Sequence, residues 1–156
     1  MGSEIAVANL NSSYRVNSRL VRRIAIGVLK IVKKAGRARL AFIFLDDKAI
    51  RRINKRFKNS DRPTDVLSFS LGPEARGTGR CLGEIYISID RAAVQSKIFG
   101  ARPAEEVVRY IIHGMLHLFG YDDMTRAGRL RMSAKEDEVL VWLARKEELS
   151  KVLTRL

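Results

Sequence analysis

The chain contains two histidines, His113 and His117, and their spacing makes them the residues best suited to chemistry. They stand four positions apart in a segment whose apolar residues recur at helical intervals, so both imidazoles lie on one face of a predicted helix. Such a pair can direct two ring nitrogens to one point, as metal ligands do. Gly120 can then end the helix in a left-handed conformation and let Asp123 fold back along the same face. The pattern H-x3-H-x5-D therefore predicts a metal site formed by His113, His117 and Asp123.

The predicted ligand set leaves one coordination position open. Two imidazoles and one carboxylate are three protein ligands, whereas a structural zinc site is closed by four, so the pattern is typical of a catalytic site. The alternative is a histidine pair that is merely buried or exposed, and the glycine turn, the carboxylate beyond it and the lack of any other histidine argue against it. Zinc peptidases share the histidine spacing, but they need a glutamate directly after the first histidine, and Gly114 stands there. A metal-dependent hydrolase acting on peptides is therefore disfavoured.

The same residues carry a resemblance to a known family. The string HGMLHLFGYDD resembles the H-G-x-L-H-L-x-G-Y-D-H signature of the YbeY family of bacterial endoribonucleases. Residues 54–69 are similar to the family's N-x-x-[aromatic]-R-x-K-D-x-P-T-D-V-L-S-F segment, and residues 83–88 resemble its G-D-I-x-I-S strand. These segments occur in the family's order, so the resemblance covers most of the chain from about residue 40 onward.

Two positions depart from the family pattern. Asp123 stands where the family usually has a third histidine, and Lys58 stands where it usually has an arginine. Aspartate is still a zinc ligand, although its hard oxygen moves the preference toward Mn²⁺ or Mg²⁺. Lysine keeps the positive charge but lacks the two-pronged guanidinium, so activity is expected to be weaker or differently metal-dependent, or Arg56 or Arg62 takes the role. The adjacent Asp122 is a competing ligand, but the register of the resemblance favours Asp123.

The resemblance implies a fold and an activity. The fold is a single α+β domain over residues 1–156, with a small mixed β-sheet packed with about five helices and the metal site on a helix and the turn after it. The activity is hydrolysis of single-stranded RNA, near the 3′ end of small-subunit ribosomal RNA, with one divalent metal ion, for which zinc is favoured. The implied partners are RNA and the ribosome or its small subunit. Lys58 is the implied catalytic cation, since it can stabilise charge on the phosphoryl oxygens. Glu84 and Asp65 are candidate general bases that could equally cap or brace their strands.

The charge of the chain agrees with an RNA substrate. The 30 Lys and Arg against 17 Asp and Glu give a net charge of +13, which attracts polyanions. A predicted helix has a basic face that would follow the RNA backbone, formed by Arg51, Arg52, Lys55 and Arg56. Phe57, Phe69 and Tyr121 either stack on unpaired bases or pack in the core. A ribosome-binding protein of the same fold that has lost turnover is the alternative function, and it would bind RNA whether or not a chelator is present.

The cysteine count and the hydropathy pattern indicate a compartment. Cys81 is the sole cysteine of the chain, so an intramolecular disulfide is excluded. Residues 1–13 lack the basic region and apolar core of a signal peptide, and the most apolar run, residues 24–32, is too short to span a bilayer. We therefore expect a cytoplasmic protein without a membrane anchor.

Apolar spacing and turn residues predict the elements that must position the site. The helix with the histidines is predicted to begin at Pro103 and to end at Gly120. A last helix is predicted over residues 128–153, with Glu136, Asp137 and Glu138 on its solvated face. Strands are also predicted at 4–8, 40–45, 64–71 and 84–89, and the last two either form a hairpin or join the sheet separately. Three further helices are predicted, capped by Asn17 or Ser18, by Asp46 and by Asp90. The first of these helices is predicted to end at Gly36 and the third near Gly100.

Overall fold

A computed structural model describes residues 2–32, 37–71 and 81–156, without the side chains of residues 81 and 82. The strands are β1 (Glu4–Asn9), β2 (Tyr14–Val16), β3 (Ala38–Leu45), β4 (Val66–Ser70), β5 (Cys81–Ser88) and β6 (Leu153–Arg155). The helices are α1 (Ser18–Val32), α2 (Asp47–Lys58), α3 (Ile89–Phe99), α4 (Pro103–Leu118) and α5 (Arg126–Lys146), followed by a 3₁₀ turn (Leu149–Val152). The predicted end of the first helix at Gly36 lies outside the described residues. Among the described parts of the chain, none of the helices combines the length and the apolar composition needed to cross a lipid bilayer.

A four-stranded mixed sheet organises the fold. Its strand order is β1-β3-β5-β4, with β1, β3 and β5 parallel and β4 antiparallel to β5. Ile85 of β5 lies between Phe42 of β3 and Ser68 of β4. Of the two arrangements predicted for the last two strands, the hairpin is therefore the one observed, and β4 forms an edge of the sheet. The predicted α+β class, with a small mixed sheet and five α-helices among the described residues, is confirmed.

The two faces of the sheet are covered by different helices. On one face, Phe42, Phe44 and Ile85 are fully buried in a large core shared with α1, α3, α4 and α5. On the opposite face, α2 covers a smaller cluster that includes Leu45 and Leu67. The strand predicted to be covered on both sides is β3, which lies inside the sheet. Because successive residues of a strand point to opposite faces, one residue of β4 faces the large core and the next faces α2.

Side-chain caps fix where the helices begin. Asn17 caps α1 by accepting a hydrogen bond from the backbone N–H of Leu20 at 3.1 Å, and the predicted cap Asp46 accepts one from Ala49 at 2.7 Å. The prediction that Asp90 caps α3 is wrong. The backbone N–H of Arg91 donates instead to the Ser88 hydroxyl at 3.1 Å, so α3 starts two residues earlier than expected. The carboxylate of Asp90 accepts hydrogen bonds from the side chain of Asn11 and the backbone of Asp47 instead.

The C-terminal segment differs from the prediction of one helix over residues 128–153. The helix α5 ends at Lys146, and Glu147 adopts an extended conformation and binds Arg23 of α1 at 3.0 Å. The chain then makes the 3₁₀ turn, which buries Val152, and β6 pairs antiparallel with β2. These two strands have three residues each and lie far apart in the sequence, so their pairing leaves no local periodic pattern.

A close contact seats α4 on the sheet. A Cβ atom added to Gly114 would lie 2.7 Å from Cγ2 of Ile85 and 3.1 Å from Oγ of Ser68, so this position must lack a side chain. The Ser68 hydroxyl donates a hydrogen bond to the backbone oxygen of Gly114 at 3.0 Å. The residue after His113 therefore faces the sheet. A glutamate could not act at this position as it does in zinc peptidases, because it would point into the packed core rather than toward the histidines.

Candidate metal centre

The structure brings the three predicted ligands together at the C-terminal end of α4. The Nε2 atoms of His113 and His117 lie 3.1 Å apart. Oδ2 of Asp123, from the turn after the helix, lies 3.4 Å from Nε2 of His117 and 3.7 Å from Nε2 of His113. These side chains are between 30% and 39% exposed, so the cluster is held by the protein on one side and is open to solvent on the other.

The spacing of these three atoms fits one metal ion. Bonds of about 2.0–2.1 Å at tetrahedral angles place two ligand atoms about 3.3–3.4 Å apart. The observed separations of 3.1, 3.4 and 3.7 Å bracket that value. Two imidazole nitrogens and one carboxylate oxygen also form a donor set that zinc accepts. The residues present therefore fit a single divalent ion that keeps a position free for water or substrate.

The turn after α4 explains why Asp123 reaches the histidines. Gly120 has a φ of +95°, as its predicted left-handed conformation requires, and reverses the chain after the helix. The side chain of Asp122 accepts a hydrogen bond from the backbone of Met124 at 2.8 Å and closes the turn. A Cβ on Gly128 would lie only 2.2 Å from the backbone oxygen of Asp122, so the start of α5 packs directly on the turn. Of the two adjacent carboxylates, Asp122 braces the turn and Asp123 faces the imidazoles.

Glu136 is a further residue of the site, and the prediction that it lies on a solvated face is wrong. Its Oε1 atom lies 2.5 Å from Nδ1 of His113, and its side chain is 14% exposed. The signal was present in the sequence, because Glu136 lies four residues after Met132 and three before Val139, which are both buried. A carboxylate within the inward stripe of an amphipathic helix needs a partner, and His113 is that partner. The neighbouring residues Asp137 and Glu138 are exposed, as predicted.

Glu136 also determines the electrostatics of His113. Burial lowers the pKa of this histidine, but the hydrogen bond to Glu136 and the charges of Glu136, Asp65 and Asp123 together outweigh burial and raise the pKa above its usual value. A carboxylate next to Nδ1 favours a proton on that nitrogen. In the neutral imidazole, Nε2 then carries the lone pair and points it at the cluster, the arrangement seen in many histidine-bound metal sites.

Lys58 lies away from the three ligands. It is exposed at the C-terminal end of α2, and its Nζ atom is 5.4 Å from the ring centroid of Phe69, on the side of the sheet opposite α4. Among the described residues, no hydrogen bond or ion pair joins Lys58 to His113, His117 or Asp123. The lysine and the histidines thus approach the edge strand β4 from its two faces.

The two candidate general bases have structural partners. Glu84 accepts a hydrogen bond from the Tyr86 hydroxyl at 2.6 Å, on the side of the sheet that α2 covers, and this bond contributes most to raising the pKa of Tyr86 to about 12. Asp65 accepts a hydrogen bond from the backbone of Val66 at 2.8 Å and so caps the start of β4. The charge of Asp65 also contributes to raising the pKa of His113.

The two adjacent aspartates should respond differently to mutation. We expect Asp123→Ala to weaken zinc binding strongly, because two imidazoles alone hold a divalent ion poorly, while Asp122→Ala keeps the affinity and loosens only the turn. Zinc affinity measured by competition with a chromophoric chelator decides the point. If Asp122→Ala loses the metal and Asp123→Ala retains it, the assignment of the carboxylate ligand is wrong.

The contact between Glu136 and His113 leads to a second prediction. Removing a residue that orients a metal-bound histidine typically lowers metal affinity about 10- to 100-fold, and we expect this loss for Glu136→Ala. The matched control is Asp137→Ala, which removes a carboxylate from the next position of the same helix and should leave the affinity unchanged. Equal affinities of the two variants for zinc would contradict the role of Glu136.

Known proteins are similar to this chain in sequence and in fold. Residues 6–144 match the protein family described as Endoribonuclease YbeY. The Endoribonuclease YbeY of Anaeromyxobacter dehalogenans strain 2CP-C is 37% identical over 145 residues, which cover 92% of this chain and 72% of that protein. The Endoribonuclease YbeY of Moorella thermoacetica is 34% identical over 148 residues, covering 88% and 95% of the two chains. The solution structure of TM1509 from Thermotoga maritima has a TM-score of 0.62 and 26% identity, covering 91% of this chain and 93% of that one. The resemblance is thereby confirmed, and the chain belongs to the YbeY family of endoribonucleases.

Proposed function

We propose that this protein is a metal-dependent endoribonuclease that cleaves single-stranded RNA during ribosomal RNA processing. The observation that carries the proposal is the open cluster of His113, His117 and Asp123, whose three ligand atoms lie within 4.8 Å of one another. The cluster occurs in a chain that belongs to a family named for endoribonuclease activity. A site with three protein ligands and an open position suits hydrolysis better than a structural role.

The proposed ligands are Nε2 of His113, Nε2 of His117 and a carboxylate oxygen of Asp123, and zinc is the ion that we propose. A divalent ion bound there supplies Lewis acidity, which stabilises negative charge on a phosphate and favours ionisation of water near neutral pH. The residues of the chain then hold this chemistry in place. Glu136 fixes the ring of His113, Asp122 braces the turn, and the contact of Gly114 with the sheet keeps α4 from shifting.

We propose that Lys58 is the cation that stabilises charge on the scissile phosphate. Asp61 pairs with Arg51 at 2.9 Å and with Lys55 at 4.0 Å, which neutralises part of the basic face of α2. No described carboxylate forms an ion pair with Lys58. A phosphate that contacts the lysine on one side of β4 and approaches His113, His117 and Asp123 on the other would lie over the edge of that strand. This requirement favours a flexible, unpaired strand as substrate.

The finer identity of the substrate rests on family membership and charge. We propose ribosomal RNA near the 3′ end of the small-subunit molecule, the ribosome or its small subunit as partner, and a cytoplasmic location, where these molecules meet. The net charge of +13 supports a polyanionic partner. The alternative, a ribosome-binding protein without turnover, is not favoured, because a binding protein does not need an open three-ligand cluster.

The variant His117→Ala tests the proposed function. Two remaining ligands hold a divalent ion too weakly, so we expect zinc binding and cleavage of an unstructured RNA to be lost together. Metal content, RNA cleavage on a gel and RNA binding are measured on the same preparation, and circular dichroism verifies the fold. Binding of RNA should survive, since it depends on the basic surface. Full cleavage by a metal-free His117→Ala protein would refute the proposal.

Lys58 can be tested apart from the metal. Removing one group that stabilises developing charge typically costs about 100- to 1,000-fold in rate, so Lys58→Ala should lose kcat to that extent, while Lys58→Arg retains activity. Zinc affinity should stay unchanged in both variants, because Lys58 does not contact the cluster. The matched control is Lys97→Ala on α3, another exposed lysine. Unaltered turnover in Lys58→Ala would remove this residue from the mechanism.

A further inference from the structure

Three aromatic rings line the side of the sheet that α2 covers. The Phe57 ring meets the Phe69 ring edge-on, with centroids 5.6 Å apart, and the Phe69 ring meets the Tyr86 ring in the same way at 5.7 Å. Phe69 and Tyr86 are half-buried, whereas Phe57 is 60% exposed. The row therefore begins inside the protein and ends in a ring with much of its surface in water.

Packing accounts for the inner rings but not for the exposure of Phe57. The apolar stripe of α2 begins with Ile50, which is fully buried, continues with the half-buried Ile53 and ends at Phe57. Stability of α2 against the sheet thus rests on the first part of the stripe. A large aromatic ring left mostly in water at its end adds little to this core, and its exposed surface is accessible to a binding partner.

One positive charge lies beside the exposed ring of Phe57, and another lies beside the ring of Phe69 that backs it. The guanidinium of Arg56 lies 5.3 Å from the ring centroid of Phe57, and the ammonium of Lys58 lies 5.4 Å from that of Phe69. Within residues 2–32, 37–71 and 81–156, no carboxylate forms an ion pair with Arg52, Arg56 or Lys58. Aromatic faces for the bases combined with cations for the phosphates are the features with which proteins bind single-stranded nucleic acid.

We propose that Phe57, backed by Phe69, is a stacking site for an unpaired base of the RNA substrate. Arg56 and Lys58 would contact the phosphates on either side of that base. This inference rests on the proposed function and specifies how the same protein selects its substrate. A base within a duplex has both faces covered by its neighbours, so only an unpaired base can offer a face to Phe57.

The topology places this stacking site and the candidate metal centre on the two faces of the same edge strand. Phe69 and Ser68 are successive residues of the edge strand β4 and point to opposite faces of the sheet. Phe69 contacts the ring of Phe57, and Ser68 donates a hydrogen bond to the backbone of Gly114, the residue after His113. A strand of RNA that passes over the edge of β4 can therefore stack a base on Phe57 and present a nearby phosphate to the metal.

The other aromatic residues make useful comparisons. Tyr121, for which the sequence predicts either stacking on a base or packing in the core, packs against the large core and is only partly accessible. Phe99 is 71% exposed at the end of α3, but the open groove that it lines carries a net negative charge, which repels RNA. Its charged lining residues are Glu105, Glu106, Glu147 and Arg109. Phe99 is thus the matched control, an exposed phenylalanine in an acidic rather than a basic setting.

RNA binding by Phe57→Leu and Phe99→Leu tests the proposal. The full-length chain is titrated into a fluorescent single-stranded RNA with zinc supplied and, in parallel, with chelator, which keeps the RNA intact. We expect Phe57→Leu to bind about 5- to 50-fold more weakly than the unmodified protein, and Phe99→Leu to bind equally well. The variant Phe57→Trp, which keeps an aromatic face, should retain binding and shows that the position tolerates change. Unchanged affinity in Phe57→Leu would overturn the proposal.

An abasic RNA separates stacking from charge. Removing one base at the stacked position should weaken binding to the unmodified protein but leave binding to Phe57→Leu unaffected. The Phe57→Leu variant already lacks the stacking contact that the missing base would have made. An equal abasic penalty at every position in both proteins would overturn the stacking site. Cleavage by the zinc-loaded unmodified protein is measured alongside. If binding depends on the base at the stacked position but the RNA is not cleaved, only the proposed nuclease function is contradicted. If the RNA is cleaved but Phe57→Leu does not change RNA binding, only the stacking site is contradicted.

Discussion

The close packing of α4 on the sheet is the constraint on which the rest of the site depends. Gly114 lets the helix approach Ile85 and Ser68 within distances that no side chain at that position would permit. With Gly114 turned inward, His113 and His117 lie on a partly exposed face of the helix whose direction is fixed, because one helix position determines the direction of all others. Apolar side chains along the whole length of α4 are also buried in the large core, which keeps the helix in place. Ligand geometry is thus a consequence of how the helix is seated.

The helix α5 adds a second set of contacts that position the side chains of α4. The start of α5 packs on the turn after α4 through Gly128, and one face of α5 then returns along α4 so that Glu136 meets Nδ1 of His113. Glu136 is a carboxylate in a mostly buried position, which is costly unless it is paired. The cost is offset by the hydrogen bond to the imidazole, and the result is a ring whose second nitrogen is aimed at the cluster. The hydrogen bond between Glu136 and His113 therefore contributes both to the packing of α5 on α4 and to the orientation of the imidazole.

The parts of the site that could be predicted are those with a local cause. The spacing of His113 and His117 follows from helical periodicity, and the return of Asp123 follows from the positive φ of Gly120. Glu136 was missed because its partner lies 23 positions away, although its place on an apolar stripe was a usable signal. The pairing of β2 with β6 joins the two ends of the chain and has no local pattern. The position of Lys58 across β4 from the histidines depends on the sheet order, which spacing along one chain does not reveal.

In the proposed mechanism, one metal ion held by three side chains is needed for RNA cleavage. The most direct test is the metal content of the purified protein, paired with cleavage of an unstructured RNA before chelation, after chelation and after metal is restored. We expect about one equivalent of divalent metal at full loading, loss of cleavage with chelator and recovery when zinc or manganese is added back. Cleavage that persists in chelated, metal-free protein would contradict a catalytic role of the metal, and so would tight RNA binding by a protein that takes up no metal and never cleaves.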